Sequence, residues 1–149
     1  MEKIIPYYRQ KNKYYCGPAS LAMVFDYFGK RLSQERLAKE LHTTPREGSD
    51  NPVMIRVAKR HGFSVSTYRR ANFQILRRFL DKRVPVIVAY IEPAGNEGHY
   101  AVVSSLTRNY IVLRDPWNGK NFQLSRYEFL RRWRDEEKKQ ERWLMAVQK

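Results

Sequence analysis

The stretch Tyr14-Tyr15-Cys16-Gly17-Pro18-Ala19-Ser20-Leu21-Ala22-Met23 constrains this chain more than any other, because it holds the only cysteine and runs directly into an amphipathic helix. Pro18 suits the first helical turn, where its missing N–H costs nothing, and Leu21, Val24, Phe25 and Phe28 then recur on one face. Gly29 supplies a left-handed C′ residue to end the helix. Cys16 therefore sits just before or at the first helical turn. Unsatisfied N–H groups and the positive end of the helix dipole there favour a thiolate over a thiol, which suits a nucleophile. The plain alternative is a small buried hydrophobe, as lone cysteines commonly are.

Three other residues strengthen the nucleophile reading. Gln10 lies six residues before Cys16, His99 begins an apolar strand, and Asp115 closes the next apolar run as Asp115-Pro116. Taken singly they read as a surface glutamine, a packed strand histidine and a turn-starting Asp-Pro. Together they make a nucleophile, a base, a carboxylate to orient the base and an amide donor for an oxyanion, the parts needed for acyl transfer through a thioester. Residues 99–106 and 110–114 read as a hairpin. Folded about Arg108, it sets residue 101 opposite 115 and makes His99 and Asp115 diagonal neighbours on one face. That register needs an odd-length loop or a bulge, because a two-residue turn puts the pair on opposite faces.

These residues carry a resemblance. Gln10…Cys16-Gly17-Pro18-Ala19-Ser20, then Gly98-His99-Tyr100-Ala101-Val102-Val103, then Asp115-Pro116-Trp117-Asn118-Gly119 resembles the bacteriocin-processing peptidases. Those are papain-like cysteine peptidases that cut leader peptides after a Gly-Gly pair, often as the cytoplasmic N-terminal domain of an ABC exporter. The resemblance runs from the first extended segment to about Arg134. It implies an α+β papain-like fold, with an N-terminal helical half whose nucleophile helix packs on a C-terminal antiparallel sheet. It also implies roles: Cys16 as nucleophile, His99 as general base and acid, Asp115 as the group orienting His99, and Gln10 as the oxyanion-hole residue. The implied partners are a peptide or protein substrate with small residues at the cleavage site and an ABC exporter or other membrane partner. Alternatives on the same machinery are transpeptidation or another acyl transfer, and a non-hydrolytic peptide-binding module.

Length and composition agree with one domain over residues 1–149, since 149 residues with 42% hydrophobic content can bury a core. A single cysteine excludes an internal disulfide, and with no second thiol near the histidines it argues against a zinc site, so neither metal nor cofactor is expected. His42 and His61 read as structural, with no carboxylate or cysteine at ligand spacing. Met1 to Pro6 lack the apolar core of a signal peptide, and no later run reaches membrane-spanning length, so the expectation is a soluble cytoplasmic protein. The net charge of +14, from 29 basic and 15 acidic residues, attracts an anionic partner: nucleic acid, an acidic membrane surface, or an acidic peptide or protein. Without a zinc-finger, RNP-like or Gly-x-x-Gly signature, nucleic acid is the least favoured. A merely solvating basic surface is the bland reading.

Elsewhere the patterning predicts an edge segment over 4–8. Ser33 is expected to cap a helix over 34–41, stapled by Leu32 and Leu37. Asn51 as cap and Pro52 as first helical residue predict a third helix, with Val53, Met54, Val57, Ala58 and His61 facing inward. A half-buried strand follows over 63–68, and then an Asn72-capped helix with an arginine-rich face. Residues 85–91 form a central strand read as core, and 92–98 a flexible connection into His99. Asn118-Gly119 predicts a tight turn into a strand over 120–124. A Ser125/Glu128 capping box opens a last helix with Arg131, Arg132 and Arg134 exposed. After a charged excursion over 135–142, residues 143–147 form a closing strand.

Overall fold

The computed structural model describes residues 4–137 and 141–149. Three helices come first, α1 (Cys16–Tyr27), α2 (Gln34–Leu41) and α3 (Asn51–Arg60). They are followed by β1 (Ser64–Tyr68), α4 (Phe73–Asp81), β2 (Val86–Glu92), β3 (Glu97–Leu106), β4 (Tyr110–Asp115), β5 (Gly119–Ser125), α5 (Arg126–Arg132) and β6 (Leu144–Gln148). The strands form one six-stranded sheet in the order β1-β6-β2-β3-β4-β5, with every neighbouring pair antiparallel. No helix among the described residues is long and apolar enough to cross a membrane.

Alternation along the central strands explains why they read as unbroken apolar runs. Ile87, Tyr100, Val102, Met145 and Val147 face the helices α1 to α3, while Val86, Val88, Tyr90, Ala101, Val103, Leu144 and Ala146 face Leu76 of α4 and Phe129 of α5. A sheet covered on both faces has no polar side to alternate with. Glycine and side-chain caps punctuate the helical half. Gly29 and Gly62 take positive φ just beyond α1 and α3, Ser33 Oγ accepts from Arg36 N, and Asn72 Oδ1 accepts from Ile75 N.

The details depart from expectation at several points. The cap of α3 is Asp50, whose carboxylate accepts from Val53 N. Asn51 lies inside the first turn, and its side chain accepts from the Tyr100 hydroxyl. The link over 92–98 is a tight hairpin, with Glu92 paired to Glu97. The buried Glu92 carboxylate accepts from Ala94 N and Gly95 N and fixes the turn from inside. At α5, Ser125 Oγ accepts from Glu128 N, but Glu128 binds Arg131 and Arg132 and leaves the capping box half made. Arg132 is correspondingly not free in solvent, because it also donates to Ile91 O and Asn96 Oδ1. β1 is an edge strand on which only Val65 packs inward, and β6 inserts between β1 and β2 instead of closing an edge. Of the charged excursion over 135–142, residues 138–140 lie outside the described residues.

The β3–β4 hairpin meets the register condition through a bulge. Thr107 N donates to Tyr110 O, closing a two-residue turn at Arg108-Asn109, and Leu106 pairs with Ile111. The register shifts between Val103 and Ser105, so that Val103 pairs with Leu113 and Val102 with Arg114. The unpaired extra residue reverses the facing of everything beyond it, which brings His99 and Asp115 to one side.

Phe129 is fully buried and packs against Tyr90, Phe73 and Trp133 at ring-centroid distances of 5.7, 6.3 and 5.0 Å. Replacing it by alanine removes the ring that joins α5 to β2. Phe129→Ala is expected to lower stability by about 3–5 kcal/mol, measured by urea unfolding.

Candidate active site

Cys16 is the first residue of α1, half-buried and not in a disulfide. Tyr15 at the N-cap provides no side-chain cap, and the helical ladder begins with Ala19 N donating to Tyr15 O. The N–H groups of Cys16 and Gly17 thus lie in the part of a helix that has no internal acceptor, beside the thiol. No acidic residue occupies that first turn. A Cβ built on Gly17 would stand 2.6 Å from Ser49 Oγ and 2.8 Å from Ser49 Cβ, so glycine lets the loop before α3 close on the start of α1.

His99 is buried, 8% exposed, and its Nε2 lies 2.8 Å from Asp115 Oδ1. That bond fixes the ring: Nε2 carries a proton to the carboxylate, leaving Nδ1 for the thiol of Cys16. Burial acts against a charged His99. The negative charge of Cys16, hydrogen bonds to Asp115 and Cys16 and the charge of Asp115 outweigh it, and the pKa is pushed up to about 10. The helix start and the strand bearing His99 have therefore been brought together from opposite halves of the chain.

Asp115 is 0% exposed, which makes an unpaired carboxylate there untenable. Its Oδ1 accepts from His99 Nε2, from Trp117 N at 2.9 Å and from Asn118 N at 2.8 Å, while Oδ2 accepts from the Tyr90 hydroxyl. Burial alone would raise its pKa. The hydrogen bond and charge of His99, the Tyr90 hydroxyl and the Asn118 N–H overcome that and hold it below the usual carboxylate value. Asp115 thus stays ionised while facing the imidazole.

Tyr90 is the site residue that sequence reading missed, because it lies inside a run read as core. It is directly opposite His99 in the β2–β3 register and meets its ring edge-on at 5.9 Å. Burial above all, then the neighbouring Asp115, pushes its pKa far up, so it acts only as a donor. Two signals pointed to it: it is the one hydroxyl in an otherwise aliphatic stretch, and a tight hairpin over 93–96 places residue 90 across from 99.

Gln10 is buried, 6% exposed. Its Nε2 donates to Asn12 O at 2.8 Å, and its Oε1 has no partner among the described residues. Gln10 N donates to Pro116 O and Tyr7 Oη donates to Asp115 O, so the segment before α1 is strapped to the turn that holds Asp115. Of the other histidines, His61 pairs with Glu40 at 2.8 Å, a carboxylate 21 residues away that helix packing supplies. His42 ends α2 at positive φ. Among the described residues no group of three or more His, Cys, Asp or Glu side chains is placed to hold a metal ion.

Residues 4–136 match the peptidase C39 family. The chain is 28% identical over 134 residues to the lactococcin-G-processing and transport ATP-binding protein LagD of Lactococcus lactis, a match that covers 89% of this chain and 18% of that protein. The chain thus spans under a fifth of that relative's length. Its fold is similar to the crystal structure of the peptidase domain of Streptococcus ComA, a bi-functional ABC transporter involved in a quorum-sensing pathway. The TM-score is 0.79 at 23% identity, over 97% of this chain and 98% of that one. It is also similar to a double glycine motif protease from an AMS/PCAT transporter, solved with its leader peptide, at TM-score 0.77 and 23% identity over 98% and 92% of the two chains. These are papain-like α+β folds, with helices packed against an antiparallel sheet as here. The match along the sequence and the shared architecture lead to one conclusion: this chain belongs to the peptidase C39 family of cysteine peptidases.

Proposed function

We propose that this chain is a thiol peptidase that cuts a leader peptide after a pair of small residues, typically Gly-Gly, working in the cytoplasm beside a peptide exporter. The observation that carries the reading is His99 held between a buried, ionised Asp115 and the thiol at the start of α1. In the resting pair His99 holds a proton on Nδ1 beside the Cys16 thiolate, whose sulfur attacks the scissile carbonyl. Gln10 Nε2 and Cys16 N–H stabilise the oxyanion that forms. The Nδ1 proton then moves to the leaving nitrogen as the C–N bond breaks, leaving a thioester. Water gives a proton to Nδ1 and attacks the thioester, and the thiolate departs to restore the resting pair.

A preference for small residues is supported by crowding beside the nucleophile. Ser49 closes against Gly17, and Tyr100, close enough to Cys16 for its charge to raise the phenol's pKa after burial has done so, is pinned by Asn51. LagD is a processing and transport protein by name, and the double glycine motif protease was solved with a leader peptide. Both support an exporter-linked peptide substrate.

Incubation with synthetic peptides followed by mass spectrometry tests the reading. Cleavage is expected after Gly-Gly, at a kcat/KM at least about 100-fold above that of a Val-Val counterpart, and Cys16→Ala should lose about 10⁴-fold or more. Intact peptide under all conditions overturns the proposal.

The pH dependence follows from the raised pKa of His99. A raised pKa keeps the proton on, so activity that needs protonated His99 is present below about 10 and is lost as the pH rises through that value. In Asp115→Asn, the high-pH limb of kcat/KM is expected to move down toward the ordinary histidine range.

Tyr90→Phe removes one hydrogen bond to the Asp115 carboxylate, an interaction worth about 1.5–3 kcal/mol when charged. The expected result is a kcat about ten- to hundredfold lower with KM little changed, read from steady-state kinetics.

A further inference from the structure

The charge surplus is not spread evenly. Residues 68–83 and 126–134 together contain ten arginines and lysines against two carboxylates, and the fold gathers them on one face. α4 and α5 pack side by side on the same side of the sheet: Phe73 lies 6.3 Å from Phe129 and 6.0 Å from Trp133, and the Arg126 guanidinium stands 5.0 Å over the Phe73 ring. Among the described residues, Arg69, Arg70, Arg78 and Lys82 are exposed and make no ion pair. The carboxylates present are partly spent, Asp81 on Arg77 and Glu128 on Arg131 and Arg132.

α5 adds a second feature. Its inner side buries Phe129 and leads into the buried Trp133, while its outer side presents Tyr127 at 75% and Leu130 at 47% exposure, one turn apart. Arg131 follows on the same stripe. At the C-terminal end of this helix a hollow of about 470 Å³ is lined by Ile91, Asn96, Arg131, Arg132, Arg134 and Glu136. Glu136 is engaged there by Gly98 N.

We propose that the α4–α5 face is a docking surface for an anionic phospholipid bilayer, with Tyr127 and Leu130 entering the headgroup boundary, the exposed arginines lying over lipid phosphates, and the arginine-lined hollow receiving a headgroup. Charge complementarity selects an anionic surface. The exposed apolar pair selects lipid over nucleic acid, because a leucine beside a tyrosine gains by entering an acyl boundary and has nothing to bind on a phosphate backbone. α1, which carries Cys16, packs on the opposite side of the sheet.

The test is co-sedimentation of the full chain with vesicles of phosphatidylcholine alone and of phosphatidylcholine with about 30% phosphatidylglycerol, in about 0.1 M and about 0.5 M salt. Binding to the anionic vesicles at low salt and none to the neutral ones is expected. Tyr127→Ser combined with Leu130→Ser should lower the bound fraction about fivefold or more, and so should Arg69→Gln, Arg70→Gln and Arg78→Gln together. The matched charge removal on α3, Arg56→Gln with Lys59→Gln and Arg60→Gln, should change it less than about twofold, with melting curves showing all variants folded. The proposal is overturned by failure to bind anionic vesicles, by equal losses in the two charge-matched triple variants, by full binding without Tyr127 and Leu130, or by displacement from vesicles by a short DNA duplex.

Discussion

A carboxylate with no access to water must find all its partners inside the protein, and Asp115 is that carboxylate here. Its four donors come from three places: the neighbouring strand for His99, the strand beyond it for Tyr90, and the turn after β4 for the Trp117 and Asn118 amides. Each must be in register for the charge to be tolerated. The same requirement that stabilises the anion therefore also orients the imidazole, and the cost of burying one group becomes the precision with which another is held. Asn118 extends the network through its side chain to Glu92, so the two hairpin turns flanking His99 and Asp115 are tied together.

Much of this was legible as pattern. Ser33, Asn72 and Ser125 announce helix starts because a side-chain oxygen at the N-cap answers a local need, and local needs are written in local sequence. The chemistry of Cys16, His99 and Asp115 could be suspected because few other arrangements call for a thiol at a helix start, a histidine opening a strand and an Asp-Pro after the next. Their meeting in space depended on one fact that the residues do not declare. A two-residue turn and a bulge at Ser104 give the same pairing near the site as a three-residue turn without one, and nothing in Val103-Ser104-Ser105 distinguishes them.

Tyr90 was hidden for a different reason. Inside a run of Val, Ile and Ala, a tyrosine adds apolar area like its neighbours, and only the position of its hydroxyl in three dimensions separates a core ring from a hydrogen-bond donor. Asp50 and Asn51 show the same limit at smaller scale. Both can cap a helix, and the choice was made by Tyr100, a residue far along the chain that claims the Asn51 side chain. In each case a tertiary partner decided among options that were locally equivalent.

The strand order carries a consequence for how the chain comes off the ribosome. β6, at residues 144–148, lies between β1 and β2, so the sheet formed by earlier residues keeps an unpaired edge on β2 until residues 144–148 emerge. Non-local pairing of this kind is slow and leaves apolar surface open while it waits. Met145 and Val147 on one side of β6, and Leu144 and Ala146 on the other, complete both cores at once. A nascent chain thus carries Cys16, His99 and Asp115 before the sheet beneath them is complete.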